Sequence, residues 1–400
     1  MTQGLIAEGH LIDSGIIANI LNLIVQEGED YNILRFDIGK TNAETSRLEI
    51  ELICPSPQRL TEVSKKLINI GCYEAGPSAA VWKEAQENSC VPQDFYSTTN
   101  HLTEVWDSGS WKQVADQRMD AVIVKEPSGL VCRKLRDIRR GDSVLCGAEA
   151  VHVHPPQRDR DGGAFAFMNN EVSSERSVES VVRQLAEEFR AVRERGGRTV
   201  VVAGPVVIHT GGGAALASLI REGWVEGLLA GNALAVHDAE SAFYGTSLGV
   251  DRASGRPTHE GHKNHMRAIN RINGHGGLKQ AVAAGDLKEG VMYETVTAGI
   301  PFCLAGSIRD DGPLPDTEMD LIKAQEAYAA IVKDADLVLM LSSMLHAIGT
   351  GNMLPSWVKT VCVDINPAVV TKLVDRGSAQ AVGVVNDVGL FLNALARELT

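Results

Sequence analysis

The stretch DLVLMLSSMLHAIGTGNMLPSWVKTVCVDINP, residues 336–367, decides the fold of this chain. Residues 336–341 are an apolar run that predicts a buried strand, and a loop with Gly349 and Gly351 follows it. A second apolar run then ends in an acid, Asp364. This order is typical of a parallel α/β sheet that holds a dinucleotide, because glycines let backbone N–H groups approach phosphate and the acid accepts a hydrogen bond from ribose. The stretch therefore predicts a nicotinamide-dependent enzyme.

Length and charge limit the class of protein. A chain of 400 residues is too long for one core, which predicts two or three domains. The net charge of −13 argues against nucleic acid and anionic membranes as partners. We find neither a basic-then-apolar signal segment at the N-terminus nor an apolar run as long as a membrane span. We expect a cytoplasmic protein that forms a homo-oligomer.

The cysteines predict neither disulfides nor a metal site. They number seven, are scattered, and include no C-x-x-C pair. Reduced and mostly buried thiols fit this pattern best, and a zinc site built on cysteines is not expected. We predict no metal elsewhere in the chain.

The chain divides into three predicted parts of different character. Residues 1–92 predict an α+β module, in which Asp13 or Ser14 caps the first helix and Gly28 ends it. Its predicted elements are a helix over 11–27, strands over 31–38 and 48–53, and a helix over 57–70. Residues 93–157 predict a small β-rich subdomain of short strands, and the run PPQRDRDGG at 155–163 is the clearest linker.

Residues 164–400 predict the nucleotide-binding domain. Helices and buried strands alternate here, which implies a parallel sheet with ligands at the carboxyl ends of its strands. The first predicted elements are a helix over 178–195, a strand over 199–208, a helix over 216–222 and a strand over 227–230. The predicted fold class is α/β: a C-terminal Rossmann-like parallel sheet with an N-terminal α+β module and a small β-rich subdomain.

Three loops after buried strands carry small or polar residues. They are 231–233, with His237 and Asp238 just downstream, 343–352 and 386–389. Each loop alone is more often an ordinary turn, and no complete G-x-G-x-x-G motif is present. Together with Asp364 they favour one dinucleotide site. The triple glycine at 211–213 fits either a phosphate cradle or a flexible turn.

Two further segments carry groups that suit amino-acid chemistry. His262, Lys263 and His265 lie within four residues and are common proton carriers, although a solvated surface loop explains them as well. A metal here would need a third ligand, and the spacing to His259 matches no standard site. Arg309 suits a substrate carboxylate, and the acids that follow it suit an ammonium group. The alternative is structural: Asp310 caps the following segment and Arg309 forms an ion pair.

The chain resembles the archaeal-type ornithine cyclodeaminase family, whose members carry a lysine-oxoglutarate reductase/saccharopine dehydrogenase conserved region. The likeness spans nearly the whole chain and is densest after residue 165. The matching runs are FYSTTNH at 95–101, GNALAVHD at 231–238, GTSLG at 245–249, GHKNH at 261–265, LAGSIRDDGPLP at 304–315, GNMLPS at 351–356 and VDINP at 363–367.

The resemblance implies NAD bound in a Rossmann-like domain similar to that of deoxyhypusine synthase. Two departures from the family pattern are Ser343, where threonine is expected, and the longer charged loop at 158–163. The dinucleotide contacts that the resemblance implies are Asn232, Ala233, Asp311, Ser343, Met344, Leu345, His346, Asp364, Asp387 and Val388.

The resemblance also implies an activity, the conversion of L-ornithine to L-proline and ammonia by hydride transfer to bound NAD and back. We assign Arg309 to the substrate carboxylate, Asp310 to an ammonium, and Lys263 with His262 and His265 to proton transfer. Two alternatives stay open: an NAD-dependent amino-acid dehydrogenase of saccharopine type, and a non-catalytic NAD-binding sensor.

Overall fold

The computed structural model describes residues 1–12, 14–41, 44–155, 178–251, 256, 258, 261–310, 312–375 and 381–400. The predicted linker lies outside them from Pro156 onward, as do the side chains of His262, Val374 and Asp375. The chain forms two compact units, Met1–Phe167 with Leu354–Trp357, and Met168–Met353 with Val358–Thr400. The three-part division into 1–92, 93–157 and 164–400 stays a prediction.

The first unit begins with a four-stranded antiparallel sheet in the order β2-β3-β1-β4. Its elements are β1 (Thr2–Gly9), α1 (Ile16–Gln26), β2 (Asp30–Asp37), β3 (Ser46–Ile53), α2 (Pro57–Asn69) and β4 (Cys72–Glu74). Strand β3 buries every second residue, among them Leu48, Ile50 and Leu52, as expected for a sheet with one face in the core. Both predicted strands and both predicted helices are confirmed, whereas β1 and β4 were not predicted.

The predicted cap of the first helix is wrong at Ser14. Its hydroxyl donates to the carbonyl of His10 at 2.5 Å. The residue before the helix is Gly15, which has a φ of 71° and makes no side-chain cap bond. Asp13, the other candidate, lies outside the described residues.

The second sheet of this unit has seven strands in the order β11-β6-β7-β9-β8-β10-β5. They are β5 (Val81–Glu84), β6 (Leu102–Asp107), β7 (Ser110–Ala115), β8 (Val122–Glu126), β9 (Gly129–Arg133), β10 (Ser143–Cys146) and β11 (Val151–His154). The strands predicted at 105–106, 121–124, 130–132, 143–145 and 150–153 are confirmed as β6, β8, β9, β10 and β11, and β5 and β7 are additional. Strand β11 pairs antiparallel with β6, which places His152 directly opposite Glu104.

The second unit contains a parallel seven-stranded sheet in the order β17-β16-β13-β12-β18-β19-β20. Its strands are β12 (Thr199–Ala203), β13 (Gly227–Gly231), β16 (Phe302–Ala305), β17 (Thr317–Glu318), β18 (Leu337–Leu341), β19 (Lys359–Asp364) and β20 (Ala381–Val385), and a separate hairpin joins β14 (Thr246–Ser247) to β15 (Val250–Asp251). Strand β12 is central, and the chain adds β13, β16 and β17 on one side before it adds β18, β19 and β20 on the other. The order therefore reverses between β12 and β18, the usual position of a ligand crevice in such sheets.

Helices connect the strands of this sheet. They are α3 (Val178–Glu194), α4 (Val206–His209), α5 (Gly213–Arg221), α6 (Asn232–Tyr244), α7 (Asn264–His275), α8 (Leu278–Ala283), α9 (Val291–Thr297), α10 (Leu321–Val332), α11 (Met344–Gly351), α12 (Pro367–Asp375) and α13 (Val388–Leu399). The predicted Rossmann-like fold is confirmed. In the described part of the chain, no helix has both the length and the apolar character that crossing a bilayer requires.

Two local predictions about this domain are wrong. The strand predicted over 199–208 ends at Ala203, because Pro205 has no N–H for a ladder bond and the chain turns into α4. The predicted glycine loop after β18 is mostly helix, since α11 begins at Met344 and contains Gly349 and Gly351 in its last turn. These glycines therefore lie at the end of the helix far from the carboxyl end of β18.

Candidate active site

The residues predicted to hold a dinucleotide lie at one edge of the parallel sheet. Asn232 follows β13, His346 lies in the first turn after β18, Asp364 is the last residue of β19, and Asp387 follows β20. Because all four strands are parallel, their carboxyl ends face the same side. The fold thus brings these four positions to a common rim.

His346 is held at this rim by a hydrogen bond with Tyr328. The Tyr328 hydroxyl donates to the carbonyl of Ala230 at 2.7 Å and lies 3.1 Å from Nδ1 of His346. A hydroxyl that donates to the carbonyl can only accept from the imidazole, so Nδ1 carries the proton and Nε2 is the acceptor nitrogen. Burial lowers the pKa of His346, and the nearby Asp310 offsets part of that shift. The ring is therefore neutral near pH 7.

A glycine makes room for this imidazole. A Cβ at Gly231 would lie 2.8 Å from Nε2 of His346, which is closer than non-bonded atoms approach. The last residue of β13 must therefore lack a side chain if His346 is to reach across the rim. This is the close backbone approach that a glycine at a ligand crevice permits.

Three predicted cofactor residues also hold local structure. Asp364 Oδ1 accepts from the N–H of Asn366 at 2.8 Å, and Asp387 Oδ1 accepts from the N–H of Leu390 at 2.9 Å as the N-cap of α13. The side-chain oxygen of Asn232 accepts from the Leu314 N–H at 3.1 Å and from the Thr317 hydroxyl at 2.9 Å. Each carboxylate has a second oxygen with which to bind a ligand.

The other predicted cofactor residues differ in what they offer. Ser343 precedes α11 and is 9% exposed, whereas Met344 and Leu345 in the first turn are 49% and 76% exposed. Val388 is 1% exposed, so its backbone rather than its side chain is available at the rim. Ala233 lies in the first turn of α6. Asp311 lies outside the described residues.

A second group of polar residues surrounds α6 and centres on Glu240, which is fully buried. Its carboxylate accepts from Nδ1 of His237 at 3.0 Å, from the hydroxyl of Thr246 at 2.9 Å, and from the backbone N–H groups of Leu248 and Gly249 at 3.2 and 3.0 Å. Burial alone would raise the pKa of this carboxyl, but the bonds from His237, Gly249 and Thr246 outweigh it and keep the pKa below its usual value. Glu240 is therefore a buried carboxylate whose charge is compensated by donors.

Glu240 fixes the tautomer of His237. An ionised carboxylate only accepts, so Nδ1 of His237 carries a proton and donates to Glu240, and Nε2 is the nitrogen left for another partner. The ring of His209 lies 4.7 Å away, and Nδ1 of His209 is 2.5 Å from the hydroxyl of Ser247. Burial, aided by His237, lowers the pKa of His209 to about 4. These two histidines thus lie together beside a buried carboxylate.

The predicted catalytic residues fall into two places. His265 joins the α6 group, with its ring 6.5 Å from that of His237, and Lys263 lies two residues earlier with an exposed side chain. Arg309 and Asp310 follow β16, where Arg309 is exposed and Asp310 accepts from the N–H of Ser307 at 2.7 Å. The side chain of His262 lies outside the described residues.

The sequence patterns did not predict Tyr328, His209 or Glu240 as part of this region. One signal was present, since His237 and Glu240 are three residues apart on a helix and therefore share a face. Tyr328 had no such signal, because its role depends on which carbonyl and which imidazole it meets in the fold.

Comparison with known proteins identifies the family. The model described as "Arginine dihydrolase ArgZ-like, C-terminal, Rossmann fold" matches residues 183–395, and its companion for the first C-terminal region matches 102–182. The model of the "LOR/SDH bifunctional enzyme conserved region" matches residues 3–101. The chain belongs to the ArgZ-like family. The predicted resemblance is thereby confirmed.

Relatives of this ArgZ-like chain carry two kinds of name. It is 48% identical to the "Ornithine cyclodeaminase" of Methanocaldococcus jannaschii, over 98% of this chain and 94% of the relative. It is 50% identical to the "Bifunctional arginine dihydrolase/ornithine cyclodeaminase ArgZ" of Synechocystis sp., over 98% of this chain but only 57% of the relative. The chain thus spans little more than half the length of the bifunctional protein.

A solved structure resembles the ArgZ-like chain and contains ligands. It is the ternary complex of AgrE with ornithine and NAD+, which is 48% identical to this chain with a TM-score of 0.55. The match covers 100% of this chain and 57% of AgrE.

Proposed function

We propose that the protein is an NAD-dependent ornithine cyclodeaminase, an ammonia-lyase that converts L-ornithine to L-proline and ammonia. The observation that carries the proposal is the common rim of Asn232, His346, Asp364 and Asp387 in a chain of this family. Relatives named ornithine cyclodeaminase, and an AgrE complex with ornithine and NAD+, support the same activity.

The residues at the rim suit a dinucleotide. The first-turn N–H groups of α11 have no partner within the helix, and Ser343 supplies no side-chain cap, so these groups are suited to phosphate. Asp364, at the end of β19, suits a ribose hydroxyl. When bound, NAD would supply a hydride acceptor and donor. The residues that we propose to line its site are Asn232, Ala233, Asp311, Ser343, Met344, Leu345, His346, Asp364, Asp387 and Val388.

Arg309 and Asp310 suit the two ends of an amino acid. The exposed guanidinium of Arg309 would bind the α-carboxylate in bidentate fashion, and Asp310 would hold an ammonium group. Asp310 also influences the pKa of His346, which means that the two side chains are close enough to interact. Ornithine would thus lie beside Nε2 of His346.

Ring closure requires proton transfers that the histidines can perform. The δ-ammonium of ornithine must lose a proton before its nitrogen can attack the substrate imine, and the departing amine must gain one to leave as ammonia. Nε2 of His237, oriented by Glu240, is the acceptor best prepared for the first transfer. His265, whose ring lies 6.5 Å from that of His237, is a further proton carrier, and His262 and Lys263 precede it in the same segment. Holding the δ-nitrogen near the imine carbon favours the ring by effective concentration.

The test uses the purified full-length chain with L-ornithine and substoichiometric NAD. We expect proline and ammonia in equal amounts, without net NADH. Ornithine deuterated at Cα should give proline that retains the label, because the same hydride returns to the ring. Proline without the label would exclude internal return. NADH formation with saccharopine would indicate the dehydrogenase alternative, and tight NAD binding without turnover would indicate a sensor.

A further inference from the structure

A cluster outside the parallel sheet combines two imidazoles with a carboxylate. His152 and His154 on β11 are two residues apart and therefore point to the same face of the strand. Glu104 on β6 lies directly opposite His152 in the antiparallel register and points to that face too. We call these three residues the strand-face triad. Spacing in the sequence does not reveal it, because Glu104 and His154 are 50 residues apart.

The geometry of the strand-face triad matches a metal site in size. One ligand atom from each residue lies within 4.8 Å of the others. Nε2 of His154 is 2.8 Å from Oε2 of Glu104, and the two imidazole centroids are 3.9 Å apart. Ligand atoms at about 2.1 Å from one zinc ion are about 3 to 3.5 Å from each other. Small side-chain rotations therefore suffice to place all three around one ion.

The surroundings prepare His152 as a ligand. Its ring packs against Tyr73 at 4.3 Å and Trp111 at 5.5 Å between centroids, which limits its rotation. All three residues of the triad are only partly buried, which leaves solvent access for a fourth ligand.

We propose that Glu104, His152 and His154 bind one divalent transition-metal ion of the zinc type. Two nitrogens and one carboxylate oxygen favour such ions over magnesium or calcium, which prefer oxygen ligands. The ion would connect β6 to β11 and complete its coordination with water. The triad belongs to the seven-stranded sheet of the first unit, and the proposal does not depend on the activity proposed for the parallel sheet.

Calorimetric titration of the full-length, metal-depleted chain with zinc chloride tests the proposal. We expect one zinc ion per chain and no binding of magnesium chloride at the same concentrations. Glu104→Gln, His152→Gln and His154→Gln should each weaken zinc binding by about tenfold or more, since even the loss of groups that only orient a ligand costs about 10- to 100-fold. Zinc should also raise the melting temperature of the wild type more than that of the variants.

The matched control is His275→Gln. His275 also pairs with a carboxylate, Asp286, at 2.9 Å, but the pair is not part of a three-ligand cluster in the described residues. This variant should bind zinc like the wild type. Cobalt(II) gives a second readout on the wild-type protein, because visible absorption that zinc abolishes reports coordination without any substitution. The proposal is wrong if the wild type takes up neither ion, or if the folded triad variants, checked by circular dichroism, bind zinc as tightly as His275→Gln.

Discussion

The protein places histidine beside glutamate in two settings that differ in burial. In the α6 group, Glu240 is fully buried and accepts four hydrogen bonds, one of them from His237. In the strand-face triad, the Glu104 side chain is 29% exposed and pairs with His154. The residue types are nearly the same, but the number of donors around each carboxylate is not.

This difference separates two kinds of chemistry. A carboxylate that already accepts four bonds orients an imidazole and fixes its tautomer, which suits proton transfer. A partly exposed carboxylate beside two imidazoles can exchange its present partner for a cation. The environment of the glutamate, more than the histidine–glutamate pair itself, therefore indicates what each site can do.

The exchange Glu240→Gln gives the largest expected effect. The amide cannot serve as an anionic partner for His237, and its NH2 group faces backbone donors. The exchange should therefore weaken the orientation of the His237 ring and lower the stability of the fold. We expect kcat for proline formation to fall by about 10³-fold or more, as for other histidines that lose an orienting carboxylate. Steady-state assays and thermal unfolding measure the two effects.

Glu187→Gln is the matched control for that exchange, because Glu187 is an exposed residue of α3. It should keep the wild-type rate and melting temperature. The contrast between the two glutamate environments breaks down if Glu240→Gln retains as much activity as this control.

Crowding of the rim should have the next largest effect. Gly231→Ala adds a Cβ about where Nε2 of His346 now approaches, at 2.8 Å, so the imidazole must move. We expect NAD affinity to fall by about tenfold or more and stability to drop by about 1–3 kcal/mol, the usual cost of overpacking. Calorimetric NAD binding and denaturant unfolding test this. Unchanged NAD binding would remove His346 from the proposed site.

Acid should destabilise the protein through its neutral histidines. The folded pKa of His209, about 4, lies below its ordinary value of 6.5, so the unfolded chain takes up a proton first as pH falls. The stability from this group is fully present above pH 6.5 and is lost as pH falls towards 4. His209 is partly exposed, so solvent screening reduces its effect. We expect it to account for about 1 kcal/mol of the free energy of unfolding that is lost between pH 7 and pH 5.

His209→Gln should reduce that acid sensitivity, which unfolding curves at both pH values will show. His152 in the strand-face triad should also lower stability as pH falls, because burial lowers its pKa to about 3. An equal loss of stability in wild type and His209→Gln would contradict the neutral state of His209.

The smallest effect is expected for Gly349→Ala. Gly349 lies within α11, and a Cβ there would meet no atom within 4 Å. Replacement of a helical glycine by alanine should raise stability by up to about 1 kcal/mol and leave NAD affinity unchanged. A loss of NAD binding in this variant would restore the glycine-loop interpretation that the structure contradicts.

Periodicity and the family motifs predicted much of this molecule. Apolar runs ending in polar residues, such as the one that leads to Asp364, predicted the parallel sheet and its rim. The helical character of α11 was missed because glycines at 349 and 351 suggested a loop, although a helix tolerates them near its end. Pro205 indicates that β12 ends early. The apolar residues after it nevertheless led to a predicted strand that continued to residue 208.

Partners that meet only in the fold could not be predicted. The Tyr328 hydroxyl donates to the carbonyl of Ala230 and thereby sets the tautomer of His346. Glu240 accepts hydrogen bonds from backbone N–H groups of the β14–β15 hairpin. Glu104 meets His152 through strand register, which a single sequence does not specify at long range.

The central position of β12 has a consequence during synthesis. One edge of this strand pairs with β13 soon after it in the chain, but Thr199 on the other edge pairs with Leu337. While a ribosome is still translating the segment between them, the apolar edge of β12 has no native neighbour. During that interval the nascent chain exposes unpaired backbone N–H and C=O groups along this edge, which can pair with another chain. Slow translation or truncation before β18 should therefore favour aggregation and capture by chaperones.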